Sequence, residues 1–301
     1  MDMNISKNDK EIMRRLGYEY MEAARRPVHR EKMKLWKALN RSEMQRPMVC
    51  IDQLPVNELN ETGELTCHAE NLLLREMEKF LRLKLYQWNH FPADMVLEPF
   101  ITVPRSLRCS GYGIQPEGDF SEPNRGTTAP SRHFYRILND FEDVEKIIDL
   151  SFATDVSEDN LRMAAAEEAF GSDIPLLLSH GANFHLGVWD YLSMFLTVDG
   201  AYMDMIDRPE FVHACMERLT QSTLAGIRQL NELKLHNDIE NVCHCSYAQY
   251  TYDLAKANQV NLEFILKDIS TIRYDPERLT KWSEIAMEVA SGSCVRRKKI
   301  V

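Results

Sequence analysis

The stretch DIPLLLSHGANFHLG, residues 173–187, decides the fold class of this chain. Its apolar run is bounded by Pro175 and Gly181 and predicts a buried strand, and NFHLG predicts a short loop after it. Residues 188–233 then carry apolar side chains at helical spacing, and Pro209 predicts a division between two helices. A strand, a loop and helices in this order are typical of an α/β protein, in which functional groups lie at the strand ends.

The remaining segments repeat this alternation less regularly. Ser6 and Asp9 have the spacing of a capping pair, and Pro27 predicts a break between two helices within residues 9–39. Residues 105–133 are rich in glycine and proline and predict a long loop. Strands are predicted at 47–51, 94–103, 239–245 and 261–268, and helices at 69–88, 140–150, 157–171 and 276–292.

Composition excludes several classes of protein. The chain is 44% hydrophobic and 27% charged, which is ordinary for a soluble globular enzyme. Its net charge of −10 argues against a nucleic-acid partner, and the sequence has no apolar run long enough to span a membrane. Seven cysteines without a secreted-scaffold pattern suit a reducing compartment. We therefore expect a cytoplasmic protein with a small-molecule substrate, and the sequence leaves its oligomeric state open.

Several segments resemble the uroporphyrinogen decarboxylase superfamily. They are PLLLSHGANFHLGVWDYL (175–192), MIDRPEFVHACMERLT (205–220), residues 261–290 and, more weakly, residues 35–52. That superfamily contains the haem-pathway decarboxylase and corrinoid-dependent methyltransferases that pass methyl groups to thiols. The resemblance implies a TIM (β/α)8-barrel. It also implies a methylcorrinoid, carried by a partner protein, as methyl donor.

The chain is short for a complete barrel of this kind. About five strands are predicted where eight are needed, and residues 246–260 hold room for little more than one helix. We therefore expect an incomplete or irregular barrel with extra N-terminal helices. Its predicted divisions are a helical extension at 1–46, one barrel domain at 47–292 with units missing near 246–260, and a loose tail at 293–301.

Cys243-His244-Cys245 is the strongest candidate for a metal site. Alternation along a strand points Cys243 and Cys245 to one face and His244 to the other, and two thiolates on one face can share a zinc ion. His180 is the best candidate for a third ligand, and His244 is a further nitrogen ligand on the opposite face. The resemblance implies a His-x-Cys pair with a later Cys, a pattern from which this sequence departs. Small buried hydrophobic cysteines are the alternative.

Other candidates lie at or near strand ends, where an α/β barrel carries its active site. His180 and His185 flank one loop, with Asn183 and Asp190 as candidate partners. The predicted catalytic residues are Glu98, His185 and Asp268, and the predicted cofactor-binding residues are Asp52 and Asn183. Structural roles in capping, turns or hydrogen bonding are the alternative for each.

These observations favour a methyltransferase-type enzyme that moves a methyl group between a corrinoid protein and a thiol or another small acceptor. The alternative is an inert family member that binds a corrinoid, a tetrapyrrole or a protein partner. Uroporphyrinogen decarboxylation is not expected. The decarboxylase grips the substrate carboxylates with arginines after its first strand, whereas this chain has no Arg or Lys between Arg46 and Arg75.

Overall fold

Helices make up most of the secondary structure in the computed structural model. It describes residues 4–41, 43–51, 54–120, 131–179, 187–235, 240–243 and 246–250, and for 120, 240–243 and 246–249 it describes the backbone alone. The first helix, α1 (Lys7–Ala24), begins with the predicted capping box, because Ser6 and Asp9 each accept the other's backbone N–H at 3.0 Å. The predicted break at Pro27 is also confirmed, since α2 (Val28–Asn40) starts there.

The N-terminal helices belong to one of the two large apolar cores. After a single helical turn, α3 (Val56–Leu59), the chain forms α4 (Leu72–His90), whose first turn is capped by the Asn71 side chain. Helix α1 packs against α4 and against α6 (Val156–Phe170), and side chains of all three helices form this first core. Because this core continues into β1 (Ile101–Val103), helices α1 and α4 help to position the strands.

The only parallel strands among the described residues are two short ones. Strand β1 (Ile101–Val103) pairs with β6 (Leu176–Leu178), and Ile101 lies opposite Leu176. Both predicted strands exist but are shorter than the expected 94–103 and 174–180. Proline explains part of this, because a residue without an N–H cannot extend a hydrogen-bonded ladder, and Pro99, Pro104 and Pro175 flank the pair.

Residues 105–150 differ most from the prediction. The predicted loop contains two short strands, β2 (Arg108–Cys109) and β3 (Gly118–Phe120), and a third, β4 (Arg132–Phe134), begins at its end. Strand β2 pairs antiparallel with β5 (Phe152–Ala153), and β3 pairs antiparallel with β4. The helix expected at 140–150 is one turn, α5 (Phe141–Val144), because the Ile148 N–H turns away to the carbonyl of Tyr112 at 2.9 Å.

The segment after β6 forms three helices where two were predicted. The predicted division at Pro209 is confirmed, because α8 (Val198–Asp207) ends there and α9 (Pro209–Leu233) begins. A further break separates α7 (Val188–Leu196) from α8 at Thr197, whose backbone has a φ of 64°. These helices and the 138–150 segment build the second large core around side chains such as Phe195 and Phe211.

The last described element is a hairpin. Strand β7 (Glu240–Cys243) pairs antiparallel with β8 (Ser246–Gln249), so Cys243 lies opposite Ser246. The strand predicted at 239–245 is confirmed in part by β7, but the expected parallel pairing was wrong, because β7 pairs antiparallel with β8 where a helix was expected to begin. Two residues join the strands, which is the commonest length of a hairpin connection. The predicted strand at 261–268 and helix at 276–292 lie outside the described residues.

The fold is mixed helix and strand with small sheets. In the described ranges the sheets are two-stranded and no closed barrel is present. Among the same residues, no helix has the length and apolar character that a membrane crossing requires.

Candidate functional site at the carboxyl edge of the parallel strands

The parallel pair defines an edge at which ligand sites of α/β proteins commonly lie. Beyond β1 and β6, the Ser179 N–H donates to the carbonyl of Val103 at 2.9 Å, so the two chains leave the pair side by side. Helix α6 packs on both strands, and its first turn meets the segment that follows β1: the Ser106 N–H donates to Asp159 at 2.7 Å. The start of α6 and the end of β1 therefore meet at this edge.

A cavity opens at this junction. Its volume is about 420 Å³, within the range of small-molecule sites. The walls come from the segment after β1, from β5 and from the N-terminus of α6, and the lining residues are Ser106, Arg108, Ala153, Thr154, Asp155, Val156 and Ser157.

Ser106 joins the segment after β1 to the start of α6 through two hydrogen bonds. Its hydroxyl donates to the carbonyl of Asp155 at 3.0 Å and accepts the Asp155 N–H at 2.9 Å. The Asp155 carboxylate in turn accepts the N–H groups of Ser157 and Glu158 and so caps α6. The N-terminus of α6 is thus capped by the Asp155 carboxylate. The hydroxyl hydrogen of Ser106 is already donated to the Asp155 carbonyl, so it is not available for proton transfer.

Charge on the rim is arranged around Glu158. Its carboxylate accepts from Arg162 at 2.7 Å and from Arg108 at 2.6 Å. The hydrogen bond from Arg162 is the largest of the effects that hold the pKa of Glu158 below its ordinary value, and the bond from Arg108 adds to it. Glu158 is therefore an anion at neutral pH and does not act as a proton donor.

A third arginine, Arg105, directly precedes Ser106 in the sequence but does not line the cavity. Arg105 Nε lies 3.7 Å from Asp159, beyond hydrogen-bond distance, and has no hydrogen-bond partner among the described residues. Arg108 is largely exposed and reaches the cavity from the rim. Guanidinium groups bind carboxylate and phosphate oxygens, so this site is suited to a small polar or anionic molecule.

Glu98 is the one predicted catalytic residue whose side chain is described, and it does not line this cavity. It precedes β1, which begins at Ile101, whereas it was expected within the strand. The Tyr250 hydroxyl donates to its carboxylate at 2.6 Å, and the Asn40 amide donates to the carbonyl of Tyr250 at 3.1 Å. Tyr250 also packs with Trp36 in a small apolar cluster. Glu98 is thus on the amino side of the pair, while residue 180 follows the carboxyl side.

The geometry expected for the metal ligands rested on one continuous strand. Strand β7 ends at Cys243, which lies opposite Ser246 of β8, so the described backbone does not form the single strand over 239–245 on which that geometry depended. The other predicted site residues lie outside the described residues; they are Asp52, His180, Asn183, His185, His244, Cys245 and Asp268. Within the described part of the chain, no group of His, Cys, Asp or Glu side chains is arranged to hold a metal ion.

No protein-family model matches this chain, and no curated protein sequence or solved structure is similar enough to count as a relative.

Two features of the sequence indicate the residues of this cavity, although the strand and motif patterns did not predict it. The run VPRSLR (103–108) places two arginines and a serine directly after a strand, and Asp155 stands at an N-cap position before α6. These two segments meet through the Ser106–Asp155 hydrogen bonds and the pairing of Arg108 with Ala153, contacts that neither segment encodes by itself.

Proposed function

We propose that the chain is a methyltransferase-type member of the uroporphyrinogen decarboxylase superfamily, with a TIM-barrel-type architecture that is incomplete. It would move a methyl group between a corrinoid carried by a partner protein and a thiol or another small acceptor, in the cytoplasm. The observation that carries the proposal is the parallel pair β1–β6, with α6 packed on it and a cavity at its carboxyl edge. This is the edge at which barrel enzymes hold their substrates.

Exposed apolar side chains support an incomplete barrel. The segment 47–51, predicted as a strand, is in contact with the segment before β1, because the Asp94 N–H donates to the carbonyl of Val49 at 2.8 Å. Val49 and Ile51 are nevertheless 53% and 41% exposed. In a closed barrel such a segment has neighbours on both sides, which would cover these side chains.

The cavity supplies a place for the acceptor molecule. Arg108, which lines the cavity and is largely exposed, would orient an anionic group of the acceptor. His180 and His185 follow β6 in the sequence and lie outside the described residues; we propose that they flank the reacting end of the acceptor. Zinc, if bound by Cys243, Cys245 and His180, would act as a Lewis acid and stabilise a thiolate.

One observation favours the alternative of an inert binding protein. The two titratable residues that line the cavity are both engaged: Arg108 in an ion pair with Glu158, and Asp155 as the cap of α6. The described walls therefore present binding groups without an unengaged base. A protein that only binds a corrinoid or a tetrapyrrole needs binding groups and does not need a catalytic base.

A combined metal and methyl-transfer measurement separates these functions. Purified full-length protein is expected to bind about one zinc ion per chain. It is also expected to form a methylated thiol from methylcobalamin and a thiol acceptor, detected by mass spectrometry. Cys243→Ala and Cys245→Ala should lose both signals, whereas Cys109→Ala, an exposed cysteine, should keep them. Corrinoid binding without metal or turnover would establish the inert alternative, and the absence of all three signals would refute both functions.

A further inference from the structure

Helix α8 (Val198–Asp207) turns its apolar side chains outward. The buried residues of this helix are Ala201 and Asp204. The Asp204 carboxylate accepts hydrogen bonds from Arg136 and Arg208. The exposed fractions of its apolar residues are 56% for Val198, 63% for Tyr202, 57% for Met203, 39% for Met205 and 78% for Ile206. This arrangement is the reverse of an ordinary surface helix, which buries its apolar stripe.

The exposed residues form a continuous surface. Val198, Tyr202 and Ile206 are spaced by four and therefore form one row along the helix, which Met203 and Met205 widen. From the exposed fractions, this surface covers on the order of 500 Å², at the upper end for a single patch on a monomeric protein. Tyrosine and methionine are also among the residue types enriched in protein interfaces.

We propose that α8 is the contact surface between two copies of this chain. The row is self-complementary: in an antiparallel pair with its two-fold axis at Tyr202, Val198 of one copy lies against Ile206 of the other. Such a pair would bury about 1,000 Å² in total, the size at which a specific interface becomes stable enough to matter. A two-fold dimer is also the commonest form of soluble oligomer.

The charges around the surface determine how this dimer responds to salt. Asp199, Asp207 and Glu210 are exposed at the ends of α8 and form no ion pairs with other described residues. With a net charge of −10 on each chain, two copies repel one another at low ionic strength. Salt screens this repulsion and leaves the apolar contact, so the dimer should strengthen from low to moderate salt.

Sedimentation velocity of the full-length protein tests this proposal over about 1–100 µM, the range in which an interface of this size dissociates. We expect a species of twice the 35.0 kDa chain mass at the upper concentrations. Tyr202→Glu and Ile206→Glu should raise the dissociation constant at least tenfold, as substitution at the centre of an interface does. The matched control is Leu72→Glu, since Leu72 is 76% exposed on α4, and it should leave the dissociation constant unchanged.

Three results would overturn the proposal. They are a monomer at all concentrations, an equal effect of Leu72→Glu, and a dimer that Ile206→Glu leaves intact. A photo-crosslinking amino acid at position 206 gives a second readout, independent of whether a charged variant folds, and should link to α8 of another chain. A link to residues 251–301 of the same chain would show instead that the chain covers its own helix. Neither readout depends on methyl transfer or metal binding.

Discussion

At the scale of single residues, His29 shows how a histidine with no catalytic role is held. It is 4% exposed, its Nδ1 accepts the Leu97 N–H at 3.3 Å, and its Nε2 lies 3.0 Å from the carbonyl of Ala23. Because a backbone N–H can only donate, the proton of the neutral ring is on Nε2, which donates to Ala23. Burial lowers the pKa of His29 more than the Ala23 bond raises it, and the nearby Lys32 and Arg26 lower it further.

His29→Ala should reduce the free energy of unfolding by about 2 kcal/mol, because it leaves a buried N–H and a buried carbonyl without partners. The effect should depend on pH. A histidine whose pKa is lowered by folding contributes stability that is complete above about pH 6.5 and is lost as the pH falls, because the unfolded chain then binds more protons. Urea unfolding between about pH 5 and 8 measures this difference. His213→Ala, at an exposed position on α9, is the control and should change little; an equal loss in both variants would contradict the assignment.

At the scale of elements, α9 is the helix that organises the second core, and Gly226 sets its distance from the chain before β5. A Cβ at this position would lie 2.9 Å from the Cβ of Leu150 and 3.0 Å from the Phe152 ring. The same contact is tied by hydrogen bonds, because Ser222 Oγ accepts the Leu150 N–H at 3.1 Å and the Gln229 side chain accepts the Phe152 N–H. The helix and this segment therefore approach as closely as their backbones allow.

Gly226→Ala should destabilise the protein by about 1–3 kcal/mol, because overpacking at a close backbone contact exceeds the gain of about 1 kcal/mol that alanine brings to a helix. Thermal unfolding followed by circular dichroism is a suitable measurement. Glu232→Ala, at an exposed position of the same helix, should stay within about 0.5 kcal/mol of the parent protein. A more stable Gly226→Ala protein would show that α9 is not tightly packed there.

At the scale of the whole molecule, the two arginines that bound the stretch 47–74, which has no Arg or Lys, both make hydrogen bonds within the protein. Arg46 binds the Asp94 carboxylate with two hydrogen bonds of 2.8 and 2.6 Å, and Arg75 Nε donates to the carbonyl of Ala69 at 2.7 Å. The Arg46 hydrogen bond is the largest effect on Asp94 and lowers its pKa, so this pair is ionised at neutral pH. The Arg46 guanidinium is thus paired with Asp94, which leaves it unable to make the same two-bond contact with a tetrapyrrole carboxylate.

Incubation with uroporphyrinogen should therefore give no coproporphyrinogen at an ordinary enzymatic rate, about 1 per second or more. Product formation is followed by chromatography of the oxidised porphyrins, with a genuine decarboxylase as the positive control. Turnover at that rate would refute the argument from the missing arginines.

Local signals in the sequence were sufficient for several boundaries. The Ser6–Asp9 capping box, the break at Pro27, the start of α9 at Pro209 and the end of α6 before Gly171, whose φ is 84°, all follow from chemistry within a few residues. Such signals act through hydrogen bonds and steric limits of the nearby backbone, so they persist in almost any tertiary context.

Other features depended on contacts between distant segments, and only the tertiary structure decided them. Glu98 was predicted from its place in an apolar run, but its partner Tyr250 is 152 residues away. The cavity needs the pairing of β2 with β5, which places Arg108 opposite Ala153, and β7 ends at Cys243 because it pairs with β8, which no strand pattern at 239–245 contained. The sequence by itself thus determined the α/β alternation and the helix ends, which are local. The tertiary structure determined which charges meet and which apolar face of α8 stays exposed, because both depend on the positions that packing gives to whole elements.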